Sequence, residues 1–158
     1  MAQFTASQGG AAFTPAAHAT NANNWALSAL TVGITAKVKM FGWGGRGTTS
    51  TGYRTRWGRV NNTAVTATAL VLGNANPNAV ALCSVNTYAT PTALAADPVA
   101  LWAQDWNVVG GGGMVVLPFG GEWIVAGGAL GTLFNQIACG NIAGADAGLS
   151  SYDVTFEE

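Results

Sequence analysis

Apolar and polar residues alternate along much of this chain with a period of two, the spacing of strands that bury one face. Trp25, Leu27 and Ala29 alternate with small or polar neighbours. Over residues 35–43, Ala36, Val38 and Met40 fall on one side, and Lys37 and Lys39 on the other. Tyr53, Thr55 and Trp57 alternate with Arg54 and Arg56, which predicts a half-buried strand with a basic outer face. Further strands are predicted over 65–72, 80–87, 99–109, 114–117, 122–126, 130–139 and 151–156, with a short helix as the alternative around 98–105. Turn-forming stretches separate them: GWGGRG from Gly42, GNANPN from Gly73, and the consecutive glycines Gly110 to Gly113. Residues 88–98, with Pro91 and Pro98, read as a loop. No helical stripe exceeds two turns. Roughly eight or nine short strands at turn-separated intervals predict an all-β, single-domain, jelly-roll-like β-sandwich.

The first 23 residues break this pattern. They are rich in Ala, Thr, Asn and Gly, with Phe4 and Phe13 as the large apolar groups. Such a segment cannot build a core, so residues 1–23 are expected to form an N-terminal arm with at most one short strand. Residues 24–158 then form the sandwich domain. Such an arm is expected to lie across a neighbouring subunit.

Composition adds a second theme. Charged residues make up 8% of the 158-residue chain, against roughly 25% in an ordinary soluble domain. Small free monomers usually keep themselves apart with mixed surface charge, so much of this surface is expected to be covered by partners. The net charge of −1 conceals a segregation. All basic residues lie from Lys37 to Arg59, and all acidic ones from Asp97 onward. Two readings stand side by side: pairing of basic with acidic strands inside one fold, and a basic face of one copy meeting an acidic face of the next. Nucleic acid is a poor partner for a slightly acidic chain without a basic tail.

Tests for chemistry are mostly negative. GWGGRG has the spacing of a dinucleotide fingerprint, but poor helix formers follow it and no acidic residue occurs before Asp97. It reads as a turn. The single histidine, His18, lies in the expected arm, so no histidine-based triad or metal site is predicted. Asp97 and Asp105 are sparse carboxylates, better suited to salt bridges than to acid–base catalysis. Neither catalytic, metal nor cofactor-binding residues are assigned. Cys83 and Cys139 lack metal-ligand spacing and are expected as reduced core residues. No stretch is long and apolar enough for a membrane span, and the start of the chain lacks the pattern of a secretory signal, so synthesis in a cytoplasm is expected. Trp43, Trp102 and Trp106 flank glycines or loops and are candidates for exposure, as interface anchors or as a sugar-stacking platform.

Two segments, KMFGWGGRGTTSTGYRTRWGRVNNT from Lys39 and DWNVVGGGGMVVLPFGGEWIVAGG from Asp105, resemble parts of small structural proteins of tailed bacteriophages. They are similar to the jelly-roll decoration, or cement, proteins on the outside of icosahedral heads. The resemblance implies a non-enzymatic virion protein on the capsid surface, a trimer at three-fold positions, and an N-terminal arm contacting the major capsid protein. On that reading Phe4 and Phe13 anchor the arm on the shell, Arg54 and Arg56 face late acidic residues across subunits, and removing residues 1–20 abolishes particle binding while leaving the fold intact. The alternatives are a carbohydrate- or host-binding jelly-roll module of a spike or tail, a small genome-enclosing capsid protein, and a β-sandwich hydrolase.

Overall fold

The computed structural model describes residues 1–7, 22–29, 31–45, 50, 52–59, 67–93, 99–107, 109–128, 136–142 and 150–158. Among these the regular structure is entirely β: β1 (Gln3–Ser7), β2 (Ala22–Ser28), β3 (Thr35–Gly45), β4 (Gly52–Arg59), β5 (Ala67–Ala69), β6 (Gly73–Asn74), β7 (Ser84–Ala93), β8 (Val99–Asn107), β9 (Gly112–Val116), β10 (Trp123–Ala126), β11 (Gln136–Ile142) and β12 (Ser150–Glu157). They form two antiparallel sheets. Sheet A runs β10-β3-β12-β1-β6, with β9 also beside β3, and sheet B runs β5-β7-β2-β11-β4-β8. Both sheets contribute to one core, so the expected all-β sandwich is observed. Of the segment 98–105, where a short helix was the alternative, the described residues 99–105 lie in strand β8. Residues 88–93, expected in a loop, continue β7, and Pro91 falls where pairing with β2 jumps from Thr87 to Thr92. An irregularity there removes the ladder hydrogen bond that proline cannot make.

The expected arm is corrected at both ends of its described part. β1 is an internal strand of sheet A, paired with β12 along its length and with β6 on its other side. Phe4 is buried and stacks on Phe156 with ring centroids 5.6 Å apart. β2 begins at Ala22, so the expected boundary at 23/24 falls inside a strand. Phe13 and His18 lie outside the described residues. The two chain ends are locked together: Ala2 N donates to Glu158 O at 2.9 Å, and Glu158 N donates to Ala2 O at 3.0 Å. The Glu158 carboxylate also accepts from the backbone N–H groups of Leu82 and Cys83, at 2.8 and 2.7 Å.

The core of the sandwich is aromatic. Phe41 of β3 sits 4.5 Å from Trp123, 5.0 Å from Trp57 and 5.2 Å from Trp102, centroid to centroid. It thereby joins β3 and β10 of sheet A to β4 and β8 of sheet B. Simple alternation places Met40 here instead. The register explains the difference: Thr155 of β12 faces Met40, whereas the next residue, Phe156, faces Val38. Lys39 is the extra residue of a β-bulge, and the bulge reverses the facing of everything after it. Ala36, Val38, Phe41 and Trp43 therefore point inward, and Met40 points out.

Cys83 and Cys139 are free thiols and both are buried. Burial and the nearby Glu158 carboxylate push the Cys83 thiol up to about 12. Burial raises Cys139 well above the ordinary range, with Arg56 opposing. The neutral thiol is the stable form at both positions, as expected of core residues.

Candidate interaction surface

On sheet B the side away from the core is itself buried at Ala26, Ser28, Arg56, Gln136 and Ala138, and Gln136 Nε2 donates to Ser28 Oγ at 3.1 Å. Sheet A differs. Its far face is open along β9 and β10, where Met114, Val116 and Ile124 are 62%, 65% and 46% exposed. Their register partners on β3 are Gly42, Met40 and Lys37. Side chains opposite one another, or two apart on a strand, are neighbours on one face. The exposed residues thus form one apolar stripe along the sheet edge. Neither β9 nor β10 carries a charge or a proline of its own, devices that usually blunt such an edge.

Between β9 and β10 the chain leaves the edge as a tight turn. Gly121 N donates to Pro118 O at 2.9 Å, and Gly120 takes φ of 83°, the left-handed position that a type II turn requires of its third residue. Phe119, between them, is 97% exposed. The turn is held from below. Glu122 accepts from Gly120 N at 2.8 Å and from Lys39 Nζ at 2.9 Å, and Lys39 also bridges to Glu157 at 3.0 Å. The bulge that reverses β3 is what brings Lys39 to these two carboxylates. Phe119 is therefore an aromatic side chain displayed in water on a backbone already fixed, which lowers the ordering cost of binding.

This ion-pair network makes a testable link to pH. The hydrogen bond from Lys39, aided by backbone donors, holds Glu122 at about 2, down from 4.5. The hydrogen bonds Lys39 donates to Glu122 and then to Glu157 raise Lys39 in turn. A carboxylate with a depressed folded-state pKa contributes stability that is complete above its unfolded value and is lost as pH falls toward the folded one. Wild-type stability is therefore expected to fall between pH 4.5 and 2 more steeply than that of Glu122→Gln. Urea midpoints taken across that range check this, and parallel curves would remove the network from the account.

The other residues singled out from the sequence are distributed differently from expectation. Arg54 is exposed and lies 3.9 Å from Asp105 of β8, a loose surface pair. Arg56 lies on the same side of β4 as Arg54 but is buried, so it does not join Arg54 in an exposed basic face. Arg59 crosses between sheets, donating to the carbonyl of Ile124 at 2.7 Å. Basic strands β3 and β4 thus lie beside acidic partners in the same fold, through Lys39–Glu122, Lys39–Glu157 and Arg54–Asp105. Trp43 and Trp102 are not an open platform: their centroids are 4.6 Å apart and both pack against the core. Trp106 pairs through its backbone with Tyr53; its side chain lies outside the described residues. Phe119, Met114 and Val116 were not singled out from the sequence. The available signal was the Pro118–Phe119–Gly120 turn, which strands an aromatic residue where it cannot turn inward. Comparison with known proteins finds no matching family model, no matching curated protein and no matching solved structure.

Proposed function

We propose that this chain is a structural protein of a virus particle, a decoration or cement protein that binds the outside of the head as an oligomer and stabilises it. One observation carries the reading: a fully exposed Phe119 on a hydrogen-bonded turn, beside the exposed apolar stripe of β9 and β10. Aromatic side chains on fixed backbone are the usual anchors of protein interfaces, and a chain with 8% charged residues has little else to keep such a surface solvated. Phe119 replaces Phe4 as the anchor on the major capsid protein, since Phe4 is in the core. The trimer implied by the resemblance is part of the same proposal. A cement protein adds contacts found only in the assembled shell, so by mass action it favours that state.

The test uses heads assembled without the chain, then incubated with it and sedimented. Wild-type protein is expected to saturate the heads at a fixed number of copies and to raise the temperature at which they open. Phe119→Ser is expected to bind at least ten-fold more weakly while its own unfolding midpoint is unchanged. Heads that gain neither protein nor heat resistance would sink the proposal.

A further inference from the structure

One residue of β3 holds the Phe119 turn on both sides. Before the turn, Leu117 N donates to the main-chain carbonyl of Lys39 at 2.8 Å. After it, Glu122 Oε1 accepts from the Lys39 ammonium at 2.9 Å. Residues 118–121 lie between these two attachments, and pairing with β3 resumes at Trp123, opposite Val38. Within the turn, Gly120 N donates to the other oxygen of the same carboxylate, Glu122 Oε2, at 2.8 Å. The Glu122 side chain, 9% exposed, thus gives each oxygen its own donor, one on the sheet and one in the turn. A carboxylate can do this because both of its oxygens accept. An amide of the same size has one acceptor oxygen, and its NH2 group would face a donor at the other position.

The turn has less to hold it by itself. Its main chain supplies the bond from Gly121 N to Pro118 O, and Phe119 is too exposed for packing to add much. A hydrogen bond in exposed backbone competes with water and contributes little net. Release of Glu122 would still not spread into the sandwich. Lys39 keeps Glu157 at 3.0 Å, so no lone charge is left on the sheet. Leu117 keeps its bond to the Lys39 carbonyl, and beyond the turn Arg59 holds the carbonyl of Ile124. Fixed points on both sides are what let a short segment open independently of the rest.

We infer that Glu122 is a positioning residue: its carboxylate latches the Phe119 turn to Lys39, and without it residues 118–121 open while both sheets stay folded. What the latch is for rests on the head-binding reading, in which a fixed turn presents Phe119 at a lower ordering cost. The experiment starts with limited chymotrypsin digestion of the full chain, since an exposed phenylalanine is cut when its segment opens. The fragment ending at Phe119 is followed by mass. Glu122→Gln, which keeps the side chain's shape, is expected to speed that cut about ten-fold or more, and Lys39→Met to do the same. The double variant is expected to be cut within about three-fold of either single one, because both break one link. Near-UV circular dichroism of each variant is expected to match wild type. Head binding by Glu122→Gln is expected to weaken about five-fold although Phe119 is still present. An unchanged cut at Phe119 overturns the inference, and so does faster cutting that comes with loss of the tryptophan signal, which marks general unfolding. Full-strength head binding by a Glu122→Gln chain that is cut faster overturns the positioning role. A wild-type chain that ignores heads sinks the head-binding reading instead, and the digestion alone then decides the latch.

Discussion

Phe41→Ala is expected to lower the stability of the chain by about 4 kcal/mol, within the usual range for truncating a buried phenylalanine. Phe41 is fully buried and touches rings on both sheets, so the cavity opens at the junction that joins them. The rings around it are held by strands and cannot collapse into the space, which favours the upper part of the range. A domain with roughly 5–15 kcal/mol in hand loses a large share of that. Met40→Ala, one residue away, is expected to cost only about 1 kcal/mol or less, because Met40 is half-buried on the outer face. Urea unfolding of both variants gives the comparison, and near-UV circular dichroism gives an independent view of the tryptophan cluster. If Met40→Ala proved the costlier change, the bulge at Lys39 would be wrong, and with it the placement of Lys39 against Glu122 and Glu157.

That pair of residues marks how far the sequence was legible. Alternation located β3, β4 and β12 and identified Trp57 as inward, because each strand's own residues carry the signal. Alternation could not locate the bulge, since an extra residue is defined only against the partner strand, here Thr155 and Phe156 of β12. Arg56 failed for a related reason. Its neighbours Thr55 and Trp57 announce an inner face correctly, but whether the other face meets water depends on what lies beyond the sheet. Low charge pointed toward a surface meant for contact. Its location depended on which edge strands pair on one side only, a property of topology rather than of local sequence. The place of β1 in the fold was legible and was missed: Gln3-Phe4-Thr5-Ala6-Ser7 alternates polar and apolar residues at every step, and the structure buries Phe4 and Ala6 while exposing the other three. Composition averaged over 23 residues left room for one short strand but hid that it belongs to the core.

The strand's position makes its removal the most disruptive change expected in the chain. Deleting residues 1–7 takes out an internal strand of sheet A, and the full ladder with β12 from Gln3–Glu157 to Ser7–Asp153 goes with it. β12 would be left with a bare edge in mid-sheet, and β6 with no partner. Phe156 would lose the stacked Phe4 ring, a loss of about 3–5 kcal/mol if Phe4→Ala behaves as other buried phenylalanines do. The Ala2–Glu158 hydrogen bonds that hold the last residue in place would go as well. Glu158 in turn fixes Leu82 and Cys83, so the damage extends to the entry of β7 in the other sheet. The sum exceeds what a domain of this size has in reserve. The truncated chain is therefore expected to be insoluble or unfolded, with Cys83 and Cys139 open to alkylation, whereas the thiols of the intact chain stay protected. An N-terminal arm lying outside the fold predicts the opposite: a folded truncation with protected thiols and a lost partner. Thiol labelling of the two proteins under native conditions separates these outcomes, and a folded, protected truncation would return β1 to the role of an arm.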